Sequence, residues 1–286
     1  MAKIGVQAST IKSAFVELGT YETLRKLSDI GYHAIEMSQV AMTPGNVAEM
    51  KRARDDLGTE FAALSAQMTK PPGAPADSLA EDFDKIVGDC KTLESSMLRI
   101  GMLPFDAMAS LDLVVDFARS AEEAAGRLRD HGIDLYYHNH HVEFARFDGR
   151  YMLDIIAETA PTMGLELDVH WIHRGGLDPV AVLAKYAGRV RLVHLKDYRI
   201  GQLPSSAMEL LAAGDFAGFM TSFTGVVQFA EVGQGTLDWQ RIIEQATASG
   251  AQYLLVEQDD TYGRDPFESL TMSRDHLIEL GHGDLF

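Results

Sequence analysis

The segment 163–198 contains a strand, a turn, a helix and a second strand, and both strands end on polar side chains. The first apolar run carries Asp168 near its end, and the second carries His194. Asp178-Pro179 is typical of a helix start, with Asp as the cap and Pro in the first turn. In parallel α/β folds, polar groups at the carboxyl ends of strands form the functional site. This segment therefore predicts a parallel sheet with a site at one of its edges.

The same alternation of apolar runs and helical periodicity continues through the chain of 286 residues. We predict strands at 3–8, 33–37, 60–67, 96–101, 133–138, 165–169, 190–195 and 252–257. We predict helices at 13–30, 46–57, 79–93, 111–131, 151–160, 180–186, 239–249 and 266–280. Eight such units favour an α/β fold of one domain, a single (β/α)8 TIM barrel spanning residues 1–286. The alternative is an open doubly wound sheet, which would spread the polar ends of strands five to eight apart.

Two connecting segments stand out from this pattern. Residues 68–76 are rich in Pro and Gly and predict a loop. Residues 199–231 predict a long loop between strand seven and helix seven, with one short helix near 207–212. The aromatic part of this loop, 216–229, is suited to a contact between subunits, so the sequence leaves a homo-oligomer open.

The parity of the strands predicts where the polar side chains point. Side chains alternate between the two faces of a strand, so each predicted strand has an apolar face for a helical layer and a second face that carries a polar group at its end. In a closed barrel these second faces converge. The residues expected to meet at one point are His138, Asp168, His194 and Glu257.

The composition narrows the classes of partner. The net charge of -17 repels phosphate backbones, so nucleic acid is not an expected partner. The single cysteine, Cys90, cannot form an internal disulfide, which fits a reducing cytoplasm. The first ten residues lack the pattern of a signal peptide, and no run approaches the roughly 18 apolar residues of a membrane span. We therefore expect a cytoplasmic protein that acts on a small molecule, without membrane or nucleic-acid partners.

Four segments carry a resemblance to a known family. They are YHNHHVEF at 137–144, LDVHW through GLDP at 167–179, the run to VHLKD at 189–197, and VGQGTLDW at 232–239 with VEQD at 256–259. In order and spacing the chain resembles the sugar phosphate isomerase/epimerase family of xylose-isomerase-like TIM barrels over essentially its whole length. The resemblance implies one divalent metal ion, foremost Mn, with Co, Zn, Fe or Mg as alternatives.

The metal ligands implied by the resemblance are a Glu, an Asp, a His and a second Glu at the ends of strands five to eight. Asp168, His194 and Glu257 match three of these positions. At the first, many family members have Glu, whereas this chain has His138. The fourth ligand is therefore His138 or, if its side chain swings in from the following loop, Glu143. Because typical epimerases use two opposed glutamates, this difference bears on the mechanism.

The expected chemistry is proton abstraction beside a carbonyl. A metal ion polarises the carbonyl and stabilises the enediolate that forms when the neighbouring C–H loses its proton. Glu257 or Glu143 is the expected base, and His140 or His173 is expected to move protons to oxygens. Asp197 is expected to orient Lys196 or His194. The expected substrate-binding residues are Glu36, Trp171, His173 and Lys196.

Three functions are compatible with these residues. The first is a metal-dependent isomerase or epimerase of a keto-sugar or sugar derivative. The second is a keto-sugar or inosose-type dehydratase or lyase, in which the same proton abstraction is followed by β-elimination. The third is a non-catalytic sugar-binding barrel, which the presence of all four ligand candidates disfavours. Each of them implies a small-molecule sugar as the ligand.

Overall fold

Eight parallel strands close into a barrel in the computed structural model of this chain, which describes residues 2–70 and 76–286. The barrel strands are β1 (Lys3–Gln7), β2 (Ala34–Met37), β3 (Glu60–Ala66), β4 (Met97–Ile100), β5 (Asp134–His138), β6 (Gly164–Asp168), β7 (Val190–Leu195) and β8 (Tyr253–Val256). Neighbouring strands follow the order of the chain, and β8 pairs with β1 to complete the circle. The predicted (β/α)8 barrel is confirmed, and every predicted strand overlaps one of the eight. Part of the predicted loop 68–76, namely 71–75, lies outside the described residues.

Helices connect the strands and surround the barrel. They are α1 (Lys12–Glu17), α2 (Thr20–Asp29), α3 (Pro44–Leu57), α4 (Phe83–Leu93), α5 (Leu111–Arg129), α6 (Met152–Thr159), α7 (Val169–Arg174), α8 (Pro179–Lys185), α9 (Ser205–Ala212), α10 (Phe216–Thr224), α11 (Trp239–Ala248) and α12 (Pro266–Leu277). Among the helices of 2–70 and 76–286, none combines the length and the apolar character needed to cross a membrane.

The predicted helix start at Asp178-Pro179 is confirmed, but the prediction of one helix at 13–30 is wrong. The Asp178 carboxylate caps α8 by accepting a hydrogen bond of 3.0 Å from the Val180 backbone N–H. The segment 13–30 forms two helices, α1 and α2, because Gly19 between them has φ +85°. That backbone angle is incompatible with an α-helix, so the periodicity continues across the break while the helix does not.

The apolar side chains form two cores separated by the barrel wall. The larger core lies between the strands and the helices and contains alternate strand residues such as Tyr137 and Val193. The smaller core fills the barrel interior with Tyr136, Leu192 and Leu255 among its members. Neighbouring residues of one strand therefore point to different cores. This is the alternation predicted from the sequence.

The segment 199–231 is more ordered than the predicted long loop. Its ends form an antiparallel pair, Asp197–Ile200 with Val227–Ala230, and α9 and α10 lie between them. The short helix predicted near 207–212 corresponds to α9. The strand pair was missed because its partners are about thirty residues apart and too short to produce a clear alternation.

Asp197 joins the start of this segment to the turn that follows it. Its buried carboxylate accepts hydrogen bonds of 3.1 Å from the backbone N–H groups of Gly233 and Gly235, and one of 2.8 Å from the indole N–H of Trp239. A Cβ at Gly235 would lie 2.1 Å from the carboxylate, so this position requires glycine. The expectation that Asp197 orients Lys196 or His194 is wrong, because its oxygens face the turn.

Replacing Asp197 tests the importance of this carboxylate. We expect Asp197→Ala to lower the free energy of unfolding by about 3 kcal/mol or more, because the buried Trp239 indole and several partly buried backbone N–H donors lose their acceptor together. Chemical denaturation measures this change. Asp215→Ala, which removes an exposed cap of α10, is the matched control and should have a much smaller effect. Equal losses in the two variants would contradict the role assigned to Asp197.

Candidate active site

Four buried side chains meet at the carboxyl end of the barrel. His138 ends β5, Asp168 ends β6, His194 lies in β7 and Glu257 follows β8. Each offers one ligand atom, and these four atoms all lie within 4.8 Å of one another. We call these residues the four-residue group. They are the residues whose convergence the strand parity predicted.

His194 connects the other members of this group to a deeper pair of carboxylates, those of Glu36 and Glu166. Its Nδ1 is 3.0 Å from Glu257 Oε2, whereas its Nε2 is 3.2 Å from Glu36 Oε2 and 3.3 Å from Glu166 Oε1. Burial alone would lower the pKa of His194, but Glu166, Glu36 and Glu257 outweigh it and hold the pKa well above its ordinary value. Through its two ring nitrogens, His194 links two acidic layers of the barrel interior.

Arg99 compensates the charge of the deeper layer. Its Nε is 2.6 Å from Glu36 Oε1 and 3.4 Å from Glu166 Oε2, and its guanidinium also donates to the Ser38 hydroxyl at 2.7 Å. Burial and the neighbouring Glu36 raise the pKa of Glu166 to about 8. Glu36, expected from the sequence to bind substrate, is thus engaged by Arg99 and His194 in the barrel interior.

Sequence reasoning missed Arg99. It is 4% exposed and lies in β4, a strand of four residues that are otherwise apolar. A charged residue in a fully buried strand requires a partner of opposite charge, and this was the signal in the sequence that could have identified it.

Lys196 balances the negative charge of the carboxylates nearest the cavity. Its Nζ is 2.7 Å from Asp259 Oδ2, 3.0 Å from Glu257 Oε2 and 3.7 Å from Asp168 Oδ2. Burial alone would raise the pKa of Glu257, but Lys196 and His194 together hold it well below its ordinary value. Glu257 is therefore ionised at neutral pH.

The four-residue group has the donor chemistry of a metal site. Two imidazoles and two carboxylates suit a first-row divalent ion. Asp168 Oδ2 is buried without a hydrogen-bond partner and is available as a ligand. His138 Nδ1 also has no hydrogen-bond partner and lies 3.5 Å from Glu166 Oε2. Burial raises the pKa of Asp168 to about 7 even though Lys196 opposes the shift. A bound cation would compensate for this unfavourable burial of a carboxylate.

The structure does not bring Glu143 into this group. Its two oxygens accept hydrogen bonds of 2.7 Å from the Tyr137 hydroxyl and 2.8 Å from the His140 backbone N–H. Tyr137 belongs to the core between strands and helices, so the Glu143 carboxylate is held on the outer side of β5. In this conformation it supports the loop after β5.

Of the remaining predicted site residues, His140 and Trp171 lie near the four-residue group, whereas His173 is exposed. His140 lines the cavity above the site, and its ring centroid is 4.8 Å from that of His138. Trp171 packs on both Lys196, whose Nζ is 5.0 Å from the ring centroid, and the His140 ring. His173 is exposed and pairs through Nδ1 with the Tyr198 hydroxyl at 2.6 Å, away from the four-residue group.

A cavity of about 1150 Å³ opens above the site. His138, His140, Lys196, Glu257 and Asp259 line it at the four-residue group, and residues that follow β1 to β4 form the rest of its wall. A small molecule in this cavity would therefore contact His138 and Glu257 of the four-residue group directly.

Removing Arg99 tests the charge balance beneath the site. We expect Arg99→Met to lower the free energy of unfolding by about 3–5 kcal/mol, because the ionised Glu36 would remain buried without the guanidinium that lies 2.6 Å away. Adding Glu36→Gln, which removes the ionised partner of Arg99, should recover part of this loss, as measured by chemical denaturation. Arg25→Met, which breaks exposed ion pairs of α2, is the control and should change little. No recovery in the double variant would contradict the charge argument.

Comparison with known proteins finds one curated relative and several solved structures with the same fold. Rhizopine catabolism protein MocC of Rhizobium meliloti is 26% identical over 170 residues, which are 59% of this chain and 48% of that protein. The chain thus spans about half the length of this curated relative. A sugar phosphate isomerase/epimerase from Parabacteroides distasonis ATCC 8503 is 20% identical over 97% of this chain and 94% of that chain, with a TM-score of 0.71.

A second solved structure contains a metal ion. IOLI protein with a binding zinc atom is 16% identical, covers 99% of both chains and has a TM-score of 0.66. At these identities, the two solved structures share the fold with this chain. A family model, xylose isomerase-like TIM barrel, matches residues 24–279. Since the model covers most of the sequence and the closed barrel is present, this chain belongs to the xylose isomerase-like TIM barrel family.

Proposed function

We propose that this protein is a divalent-metal-dependent isomerase or epimerase of a keto-sugar or sugar derivative. The observation that carries the proposal is the four-residue group, whose buried ligand atoms lie within 4.8 Å of one another beneath an open cavity. Family membership and the sugar isomerase/epimerase among the structural neighbours support the same reaction class.

His138, Asp168, His194 and Glu257 would hold the metal ion. When bound, the ion would supply a positive charge that polarises the substrate carbonyl and favours loss of the neighbouring proton. The two imidazoles favour Mn, Co, Zn or Fe over Mg, which prefers oxygen ligands. Mn remains our first expectation, and the zinc in the IOLI neighbour supports a site of this general kind.

Glu257 is the proposed base. It is ionised because Lys196 and His194 outweigh the effect of its burial. Its second oxygen, Oε1, accepts hydrogen bonds from the Gln7 amide at 3.0 Å and the Ser9 hydroxyl at 3.3 Å, which fix the orientation of the carboxylate. Glu143 is the weaker candidate, because Tyr137 and His140 hold its carboxylate on the outer side of β5, whereas Glu257 lines the cavity.

His140 is the proposed carrier of protons at the substrate oxygens. Burial and the nearby Lys196 lower its pKa to about 3, so the ring is neutral at physiological pH and one nitrogen accepts while the other donates. Its Nδ1 is buried without a hydrogen-bond partner. Lys196 and Trp171 are the proposed substrate contacts beside it, with Lys196 positioned for a substrate oxygen. Glu36 and His173 are weaker candidates for direct contact.

Elimination is the second candidate reaction. After the same proton is removed, loss of a β-oxygen substituent would make the protein a dehydratase or lyase. The feature that favours it is His138, an imidazole where many family members have a second carboxylate. Two-base epimerisation needs a second group that removes or returns a proton on the opposite face of the substrate. Elimination needs only one base at carbon and an acid for the leaving group.

Metal content tests the site itself. We expect about one equivalent of divalent metal in the purified protein and less than about a tenth of that in Asp168→Ala, because a carboxylate ligand is lost. Elemental analysis measures both, with His138→Ala expected to lose metal as well. Glu143→Gln is the matched control and should retain it. Metal retained in His138→Ala but lost in Glu143→Gln would move the fourth ligand to Glu143, and no metal after reconstitution would contradict the proposal.

Reactions in deuterated water test the chemistry. Isomerisation or epimerisation should introduce deuterium at the reacting carbon of recovered keto-sugars, whereas elimination yields a dehydrated product. Glu257→Asn should abolish product formation. Since Glu257 is also a proposed ligand, metal content must be measured alongside. His140→Asn, which leaves the ligands intact, should lower kcat by about 10²–10⁴ with metal retained. Sugar binding without label or product would favour a binding protein.

A further inference from the structure

The cavity is much larger than a single sugar ring requires. Its volume of about 1150 Å³ exceeds the range of roughly 300–1000 Å³ that is typical of small-molecule pockets. Only one end of it borders the four-residue group. A single sugar ring bound there would leave most of the volume empty. The cavity therefore has room for a substituent attached to the sugar.

The lining contributed by β2 and by the segments after β1 to β4 includes six apolar side chains, which we call the apolar wall. Members of this apolar wall are Phe15, Met37, Met42, Met68, Met102 and Phe105. Four of these six residues are methionines, whose unbranched and polarisable side chains adapt to ligands of varied shape and make favourable contacts with aromatic rings. These six side chains suit an aryl or alkyl group, whereas polar lining residues between them, such as Ser38, Gln39 and Gln67, offer hydrogen-bond partners to sugar hydroxyl groups.

The rim of the cavity provides an independent observation. Val16 is 87% exposed and Phe105 is 80% exposed, the two highest values among the exposed large apolar side chains of the described residues. Both side chains line this cavity. They follow different strands, β1 and β4, and yet border one opening. An apolar substituent at this rim would remove both side chains from water, which is favourable in proportion to the area covered.

The charges along the cavity do not favour a phosphate group. Three of the four Lys and Arg side chains in the described lining have a carboxylate partner; the pairs are Lys70–Asp82, Arg99–Glu36 and Lys196–Asp259. The fourth, Lys12, donates to the neutral Gln39 amide. Asp77 and Asp106 line the same cavity and would repel a phosphate. Phosphate recognition requires several donors aimed at one point, and the described lining does not supply such a cluster.

We propose that the substrate is an uncharged sugar derivative that carries an apolar aryl or alkyl substituent. The sugar lies against the four-residue group, and the substituent lies on the apolar wall and contacts Val16 and Phe105 at the rim. This inference rests on the proposed function, because it takes the reacting sugar to bind at the metal-capable end. It specifies the substrate class of that site and excludes a phosphorylated monosaccharide.

Calorimetric titration of the metal-loaded protein tests this proposal with matched ligand pairs. The probes are methyl and phenyl glycosides of glucose, galactose, mannose and xylose, with glucose 6-phosphate and inorganic phosphate as charged competitors. At least one phenyl glycoside should bind about tenfold more tightly than its methyl partner, because burial of the phenyl ring adds apolar contact. Neither phosphate compound should bind more tightly than the phenyl glycosides.

Substitutions at the rim locate the binding of the phenyl group. The double variant Val16→Ser/Phe105→Ser should reduce the preference for phenyl to about threefold or less. Both side chains are highly exposed, so their replacement should leave the fold intact, which circular dichroism verifies. The matched control is Phe216→Ser, which replaces an apolar side chain that is 62% exposed and is not part of the cavity lining. This control should retain the full preference.

Several results would overturn the proposal. They are equal affinity within every pair, no binding of any phenyl glycoside, tighter binding of the phosphate compounds, or a preference unchanged in the double variant. Titration requires no turnover, so failure of the proposed reaction would leave a phenyl preference intact. Conversely, a protein that contains metal and introduces deuterium but shows no phenyl preference would retain its proposed function and lose only this substrate class.

Discussion

The interior of this barrel depends on the pairing of buried carboxylates with cations. Glu36 and Glu166 are fully buried, which is unfavourable for ionised groups unless opposite charges lie beside them. Arg99 supplies that charge in the deeper layer, and Lys196 supplies it near the cavity. His194 connects the layers through its two nitrogens. The ligand atoms at the cavity are thus supported from below by charge balance rather than by apolar packing.

Most of the barrel and the position of the site were predictable because strand geometry leaves few alternatives. The period of two fixes which side chains share a face, and closure brings the faces together. The prediction for residues 190–195 matches β7 at both ends. The same parity implied that His138 and His194 converge, and their ring centroids are 4.5 Å apart. Arg99 was missed because the prediction followed strand ends and did not ask what neutralises a charge in a buried strand.

Three features could not be predicted from the sequence. Each depends either on a contact between residues that are distant in sequence or on local backbone angles. The pairing of Asp197 with Ala230 involves residues far apart, and no local pattern encodes it. The break between α1 and α2 is set by one glycine with positive φ. The position of the Glu143 carboxylate is set by the short 3₁₀ turn Val142–Phe144, which directs it toward Tyr137. None of these three features is encoded in a periodic pattern of the sequence.

The hydrogen bonds of Asp197 have a consequence for how this barrel tolerates change. Asp197 lies just before the start of the segment 199–231, and its carboxylate contacts Gly233 and Gly235 just after the end of the segment. These hydrogen bonds therefore hold the two ends of the segment together, whatever residues lie between them. Lengthening a closed loop twofold costs only about 0.6 kcal/mol of closure entropy. The barrel can thus accept insertions, deletions or wholly different folded modules at this point while the neighbouring Lys196 keeps its place in the site.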